Sequence, residues 1–298
     1  MSKILHLSDV HVHAPLRLLE HHDFASKRLA GAVNLALRRS KLFTQIPAQL
    51  AALAKLAKAQ QVDAVLCTGD YTSLGSSEEM SEARELMQVL IEASPRFITM
   101  PGNHDVYTFR AIKERRFEQA FGEFLVSDTA PGAGRQSYPL LRHLDPNCSV
   151  VVLNSAIAHR AFWRSDGFIS EDQLKALDTL LDQPEMQKRF IVVATHYAPY
   201  KKNGKLDTPR HGLGNADALM AILKAKLIQG MLVHGHIHHR YFLPREQVGI
   251  PIFCCGSSTH QGREGIWLYD IKDQQCQAYG GHWNGEDYIL ESNAHIAS

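Results

Sequence analysis

The chain has 298 residues, 45% of them hydrophobic, and a formal net charge of +1. That length can bury a substantial core near the upper limit for one domain, and the balance of charge argues against a globally basic nucleic-acid binder. Five cysteines, an odd number without a C-x-x-C pair, fit a reducing compartment better than a disulfide framework, and no apolar run reaches the roughly 18 residues of a membrane span.

In chain order the first predicted element is a strand over 3–7, which has neither the basic start nor the long apolar stretch of a secretion signal. Residues 24–43 follow. They carry Lys27, Arg28, Arg38, Arg39 and Lys41, no acidic residue, and Leu29, Val33, Leu35 and Leu37 between the basic clusters. This predicts a basic amphipathic helical insert whose apolar face packs on the domain or meets a lipid surface. Ile46, Leu50, Leu53 and Leu56 keep helical spacing behind Thr44 as N-cap and Pro47 in the first turn. After a strand over 64–67, Met80, Ala83, Met87 and Leu90 follow Ser77, with Glu78 and Glu79 where a helix dipole favours them. Further strands are predicted over 96–100, 150–154, 190–195, 230–233, 250–254 and 265–269. Several are continuous apolar runs, as in sheets covered on both faces. Ser170 and Gln173 make a capping-box pattern ahead of Leu174, Leu177 and Leu181, and Asn215 precedes Leu219, Ile222 and Leu223. Residues 249–288 read as a strand- and turn-rich second sheet layer. The alternation predicts a layered α/β fold, and the absence of a linker predicts one domain over 1–298. Cys67, Cys254 and Cys255 lie in apolar runs, which fits a reducing, cytoplasmic setting.

The polar residues after these strands carry the chemistry. Strand 3–7 runs into Asp9 and His11, and 64–67 into Gly69 and Asp70. Strand 96–100 runs into Gly102, Asn103, His104 and Asp105, 190–195 into His196, and 230–233 into Gly235, His236 and His238. Ligands bind beyond the carboxyl ends of strands in α/β sheets, so five strand ends bring these residues together. Carboxylate, imidazole and one amide suit Mn, Fe, Zn or Co better than Ca, which prefers oxygen ligands. Asp9 and His11 are two apart, as are His236 and His238, so in extended chain each pair faces one way. His234 reads as strand-end structure, and His239 as exposed or a neighbour of substrate. His13, His159 and Arg160 are candidate substrate contacts at the mouth of the site, Arg160 for a phosphate group.

D-V-H at 9–11, G-D at 69–70, G-N-H-D at 102–105, H at 196 and G-H-I-H at 235–238 resemble, in order, the motifs of the calcineurin-like metallophosphoesterases. The resemblance implies a two-sheet αββα sandwich, with residues 24–43 as a lid over the active site. It implies two divalent metal ions, Mn first and Fe, Zn or Co as alternatives. Asp9, His11 and His238 would hold one ion, Asn103, His196 and His236 the other, and Asp70 would bridge them. His104 would protonate the leaving oxygen or stabilise phosphoryl charge, oriented by a hydrogen bond to Asp105. A hydroxide bridging the ions would attack phosphorus in line. The implied substrate is a small or lipid-linked phosphodiester or pyrophosphate. The insert also looks like that of family members which hydrolyse UDP-2,3-diacylglucosamine, which would add peripheral contact with the inner face of a membrane. A cyclic-nucleotide phosphodiesterase is the alternative. A nuclease lacks the basic surface it needs, and an inactive interaction scaffold would require ligand losses that this sequence does not show.

Overall fold

The computed structural model describes residues 1–13, 42–128, 138–159, 164–208 and 210–297. Most of the predicted insert, and Arg160, therefore lie outside the described residues. The elements in chain order are β1 (Ser2–Leu7), α1 (Ile46–Gln60), β2 (Ala64–Cys67), α2 (Ser77–Leu86), α3 (Gln88–Ile91), β3 (Phe97–Thr99), α4 (Phe109–Lys113), α5 (Arg116–Phe121), β4 (Leu140–Asp145) and β5 (Cys148–Val152). They continue with α6 (Glu171–Leu181), β6 (Phe190–Ala194), α7 (Ala216–Lys226), β7 (Gly230–His234), β8 (Tyr241–Leu243), α8 (Arg245–Val248), β9 (Ile252–Cys254), β10 (Ile266–Lys272), β11 (Gln275–Trp283) and β12 (Tyr288–Ala297).

Two six-stranded sheets result, ordered β12-β11-β10-β1-β2-β3 and β4-β5-β6-β7-β9-β8. In the first, β1, β2 and β3 are parallel; in the second, β5, β6, β7 and β9 are parallel. Alternate strand residues point to opposite faces, and both faces are apolar because both are covered. Val150, Val152, Val192, Ala194, Met231 and Val233 face the first sheet, in one core with Ile4, Val65 and Trp267. Their neighbours Val151, Val193 and Leu232 pack outward on Leu174, Leu177, Leu219 and Leu223 of α6 and α7. Leu50 and Leu53 of α1 join the core of the first sheet. The layers are thus helix, sheet, sheet, helix.

The stretch 249–288 does not form the second layer. Its β10 pairs antiparallel with β1, and β11 and β12 extend that same sheet; only β9 belongs to the other. Two helix starts also differ from expectation. Gln45, not Thr44, is the N-cap of α1. Ser76, not Ser77, caps α2, its hydroxyl accepting from Glu79 N while Glu79 reaches back. Ser170 caps α6 as expected. All five cysteines are buried and free. Among the described residues no helix is long and apolar enough to cross a membrane.

Candidate metal centre

The carboxyl ends of β1, β2 and β3 come from one sheet and those of β6 and β7 from the other, so the expected residues meet across the interface between the sheets. They do not arrive in extended chain. Asp9, His11, Asp70, His236 and His238 all have left-handed backbone, with φ of 56°, 54°, 60°, 70° and 54°. The alternation that brings Asp9 to the side of His11 is a property of two tight loops. Asp9 N donates to Gly69 O at 2.9 Å and His11 N to Asp70 O at 3.0 Å, which stitches the first loop to the second. Close approach needs glycine at two points. A Cβ on Gly102 would stand 2.2 Å from Asp70 Oδ1, and one on Gly235 would stand 1.9 Å from Ser8 Oγ and 2.6 Å from Asp9 Oδ2.

The side chains fall into two groups. Ligand-competent atoms of Asp9, His11, Asp70 and His238 lie within 4.8 Å of one another, as do those of Asp70, His196 and His236. His104 N donates to Asp70 Oδ1 at 2.7 Å. Asp70 Oδ2 lies 3.8 Å from His11 Nε2 and 3.5 Å from His196 Nε2, between the groups. His236 N donates to Asp9 Oδ2 at 3.0 Å, and the buried Asp9 Oδ1 lies 3.2 Å from His238 Nε2. Burial works to raise the Asp9 pKa, but His238, His196 and His11 together hold it below the ordinary range.

Backbone carbonyls set the tautomers, because a carbonyl can only accept. His11 Nδ1 donates to Thr72 O at 3.1 Å, His196 Nδ1 to Thr68 O at 2.7 Å and His236 Nε2 to His211 O at 3.0 Å. Burial lowers the pKa of His196 and His236, so these rings are neutral. Their second nitrogens carry lone pairs, and both are aimed at Asn103 Oδ1, at 3.1 and 2.9 Å. His11 Nε2 likewise faces His238 Nε2 at 2.9 Å. Converging acceptors repel unless a cation lies among them, so the donor set fits divalent ions.

His104 lies beside this cluster, its ring 4.8 Å from His11 and stacked 5.3 Å from Tyr107. Its Nδ1 donates to Ser73 O at 2.5 Å. The expected bond from His104 to Asp105 is not made. That carboxylate accepts from the N–H groups of Asp70 and Gly102 at 2.8 Å each, Tyr71 at 2.9 Å and Thr72 at 3.1 Å, and from Thr72 Oγ1 at 3.2 Å. Burial pushes its pKa up to about 6 against those bonds. Asp105 positions the loops, and a carbonyl positions His104.

A cleft of about 260 Å³ opens on the cluster, lined by Asp70, Asn103, His104, His236 and His238. Ser165, His211 and Arg263 also line it, and sequence reasoning missed all three. His13 and His159 do not. His159 Nε2 is committed to Asp166, donating to its carbonyl at 2.7 Å. His13 Nδ1 is buried with no hydrogen-bond partner among the described residues. The carbonyls of Thr68, Thr72 and Ser73 carry no signature that a sequence could reveal.

The family model for calcineurin-like phosphoesterases matches residues 2–240. No curated protein matches the chain significantly. Among solved structures the fold is similar to a dimetal phosphatase from Danio rerio, with TM-score 0.67 and 13% identity over 97% of this chain and 98% of that one. It is also similar to TT1561 of Thermus thermophilus, with TM-score 0.51 and 13% identity over 93% of this chain and 97% of that one. A putative 5'-nucleotidase from Staphylococcus aureus matches with TM-score 0.50 and 16% identity, over 99% of this chain and 53% of that one. The family match across both sheets' ligand loops gives the conclusion: this chain is a phosphoester hydrolase belonging to the calcineurin-like phosphoesterase family.

Proposed function

We propose that the protein hydrolyses a phosphodiester or diphosphate bond with two divalent cations, Mn being our first choice among the ions that suit the ligands. Asp9, His11 and His238 would hold one ion, Asn103, His196 and His236 the other, with Asp70 shared. The observation that carries this reading is the division of ligand-competent atoms into two groups with Asp70 common to both. When bound, such ions supply an activated water near neutral pH and positive charge against phosphoryl oxygens. The chain's own part is orientation and proton transfer. Carbonyls of Thr72, Thr68 and His211 fix the rings of His11, His196 and His236. His104 is held at Nδ1 by Ser73 O, so its imidazolium has the Nε2 proton to give the departing oxygen.

The substrate we favour is lipid-linked, a nucleotide such as UDP-2,3-diacylglucosamine, taken at the inner face of a membrane under residues 24–43 as a lid. The five Lys and Arg of that segment support this reading. So does Phe43 at its end, buried and edge-on to His11 at 5.3 Å. None of the described residues lining the cleft singles out a cyclic nucleotide. The test is metal analysis of the purified protein with Mn-dependent hydrolysis of bis-p-nitrophenyl phosphate. Asp70→Asn keeps the volume, removes the shared charge, and is expected to lower turnover by about a hundredfold or more. Near-normal turnover in that variant would refute the reading. Deleting 24–41 is expected to impair a lipid-linked substrate more than the chromogenic ester; equal losses would leave the segment a packing role only.

A further inference from the structure

The loop joining β9 to β10 crosses from the second sheet to the first, beyond residues 2–240 that match the family model. It is pinned to the loop after β1. Ser257 Oγ donates to Asp9 O at 2.6 Å, Ser258 Oγ to Ser8 O at 2.8 Å and Thr259 Oγ1 to Val10 O at 2.5 Å, and all three side chains are buried. Tyr288 OH donates to Ser258 O on the same loop. A turn closed by Arg263 N on His260 O at 2.9 Å, with Gly262 at φ 78°, then brings Arg263 to the cleft. Its guanidinium is exposed and makes no hydrogen bond or ion pair among the described residues. The adjacent Glu264 is turned to Gln49 Nε2 at 3.5 Å.

We propose that Arg263 forms a subsite for a second phosphate attached to the one being cleaved, so that the cleft selects diphosphates over monophosphates. This deepens the reading of the cleft as a phosphate site and rests on it. Divalent ions held by the cluster would face the phosphate being cleaved. A neighbouring phosphate still carries charge, and Arg263 is an uncommitted cation on the cleft wall. Its planar fork suits two phosphate oxygens, and the pinned loop has little freedom left to lose on binding.

The experiment is isothermal titration of the Mn-loaded protein with AMP and with α,β-methylene-ADP, whose bridging carbon cannot be hydrolysed, so binding is read without turnover. An exposed charge pair is worth up to about 1 kcal/mol, so the wild type is expected to bind the ADP analogue about fivefold more tightly than AMP. Arg263→Gln is expected to bring that ratio below about twofold, and Arg263→Lys to give an intermediate value because the charge stays and the fork is lost. A wild-type ratio near one, or an unchanged ratio in Arg263→Gln, overturns the proposal. Failure of the same loaded wild type to cleave bis-p-nitrophenyl phosphate is a separate result and counts against the two-ion reading instead.

Discussion

Asp105→Asn separates two accounts of the same residue. The carboxylate is 1% exposed and accepts four backbone N–H bonds and one hydroxyl bond. Asparagine has nearly the same shape but turns one acceptor oxygen into an NH2 donor. Whichever way the amide rotates, at least two buried N–H groups face a donor: those of Asp70 and Gly102, or those of Tyr71 and Thr72. Each buried donor left unsatisfied costs about 1–3 kcal/mol, so the loss is about 2–6 kcal/mol. For a chain of this size about 2–4 °C of melting temperature goes with each kcal/mol, which gives a fall of about 4–24 °C. The assay is thermal unfolding followed by circular dichroism in EDTA, so that ion binding does not add to the apparent stability. If the melting temperature falls by less than about 2 °C while turnover collapses, the loop-bracing account is wrong and Asp105 acts on the chemistry directly.

His104→Ala is expected to lower turnover by about 10²–10⁴-fold with metal content retained, since it removes a proton donor and not a ligand; loss of bound metal would reassign His104 as a ligand. Gly235→Ala places a methyl 2.6 Å from Asp9 Oδ2, so metal content after dialysis should fall by about half or more as one ion site is pushed apart; full retention would show that the loop yields. His6 is fully buried between Tyr269 and Thr68, and burial lowers its pKa to about 3. The unfolded chain therefore binds the proton first as pH falls, so stability is lost from about pH 6.5 down toward 3, by about 2 kcal/mol between pH 7 and 5. In urea unfolding with EDTA, His6→Gln should remove that much of the difference between pH 7 and pH 5, and an unchanged difference would place the acid sensitivity elsewhere.

The sandwich was legible where burial leaves a pattern. Strand 64–67 is found as expected, and β6 and β7 differ from expectation by one residue, because strands covered on both faces are written in Val, Ile, Leu and Met. β4, β11 and β12 were missed for the opposite reason. Leu-Arg-His in β4, Tyr-Gly-Gly in β11 and the half-exposed edge strand β12 obey hydrogen bonding more than side-chain burial. The seven expected ligands come together because their types and their positions after strands are both visible in one dimension. The role of Asp105 was not visible, because its partners are backbone N–H groups. Arg263 was not visible either, because nothing in its local sequence says that the following strand returns to pair with β1.

Left-handed backbone at five non-glycine residues of the cluster carries a cost of its own. At about 1 kcal/mol or more per residue, the loops of Asp9, His11, Asp70, His236 and His238 together forgo roughly 5 kcal/mol, comparable with the entire margin by which many domains stay folded. Glycine at any of these positions would relax the chain and delete a donor atom in the same stroke. Thermal robustness and ion affinity are therefore opposed here, one torsion angle at a time, and selecting variants for heat resistance alone would erode the centre first.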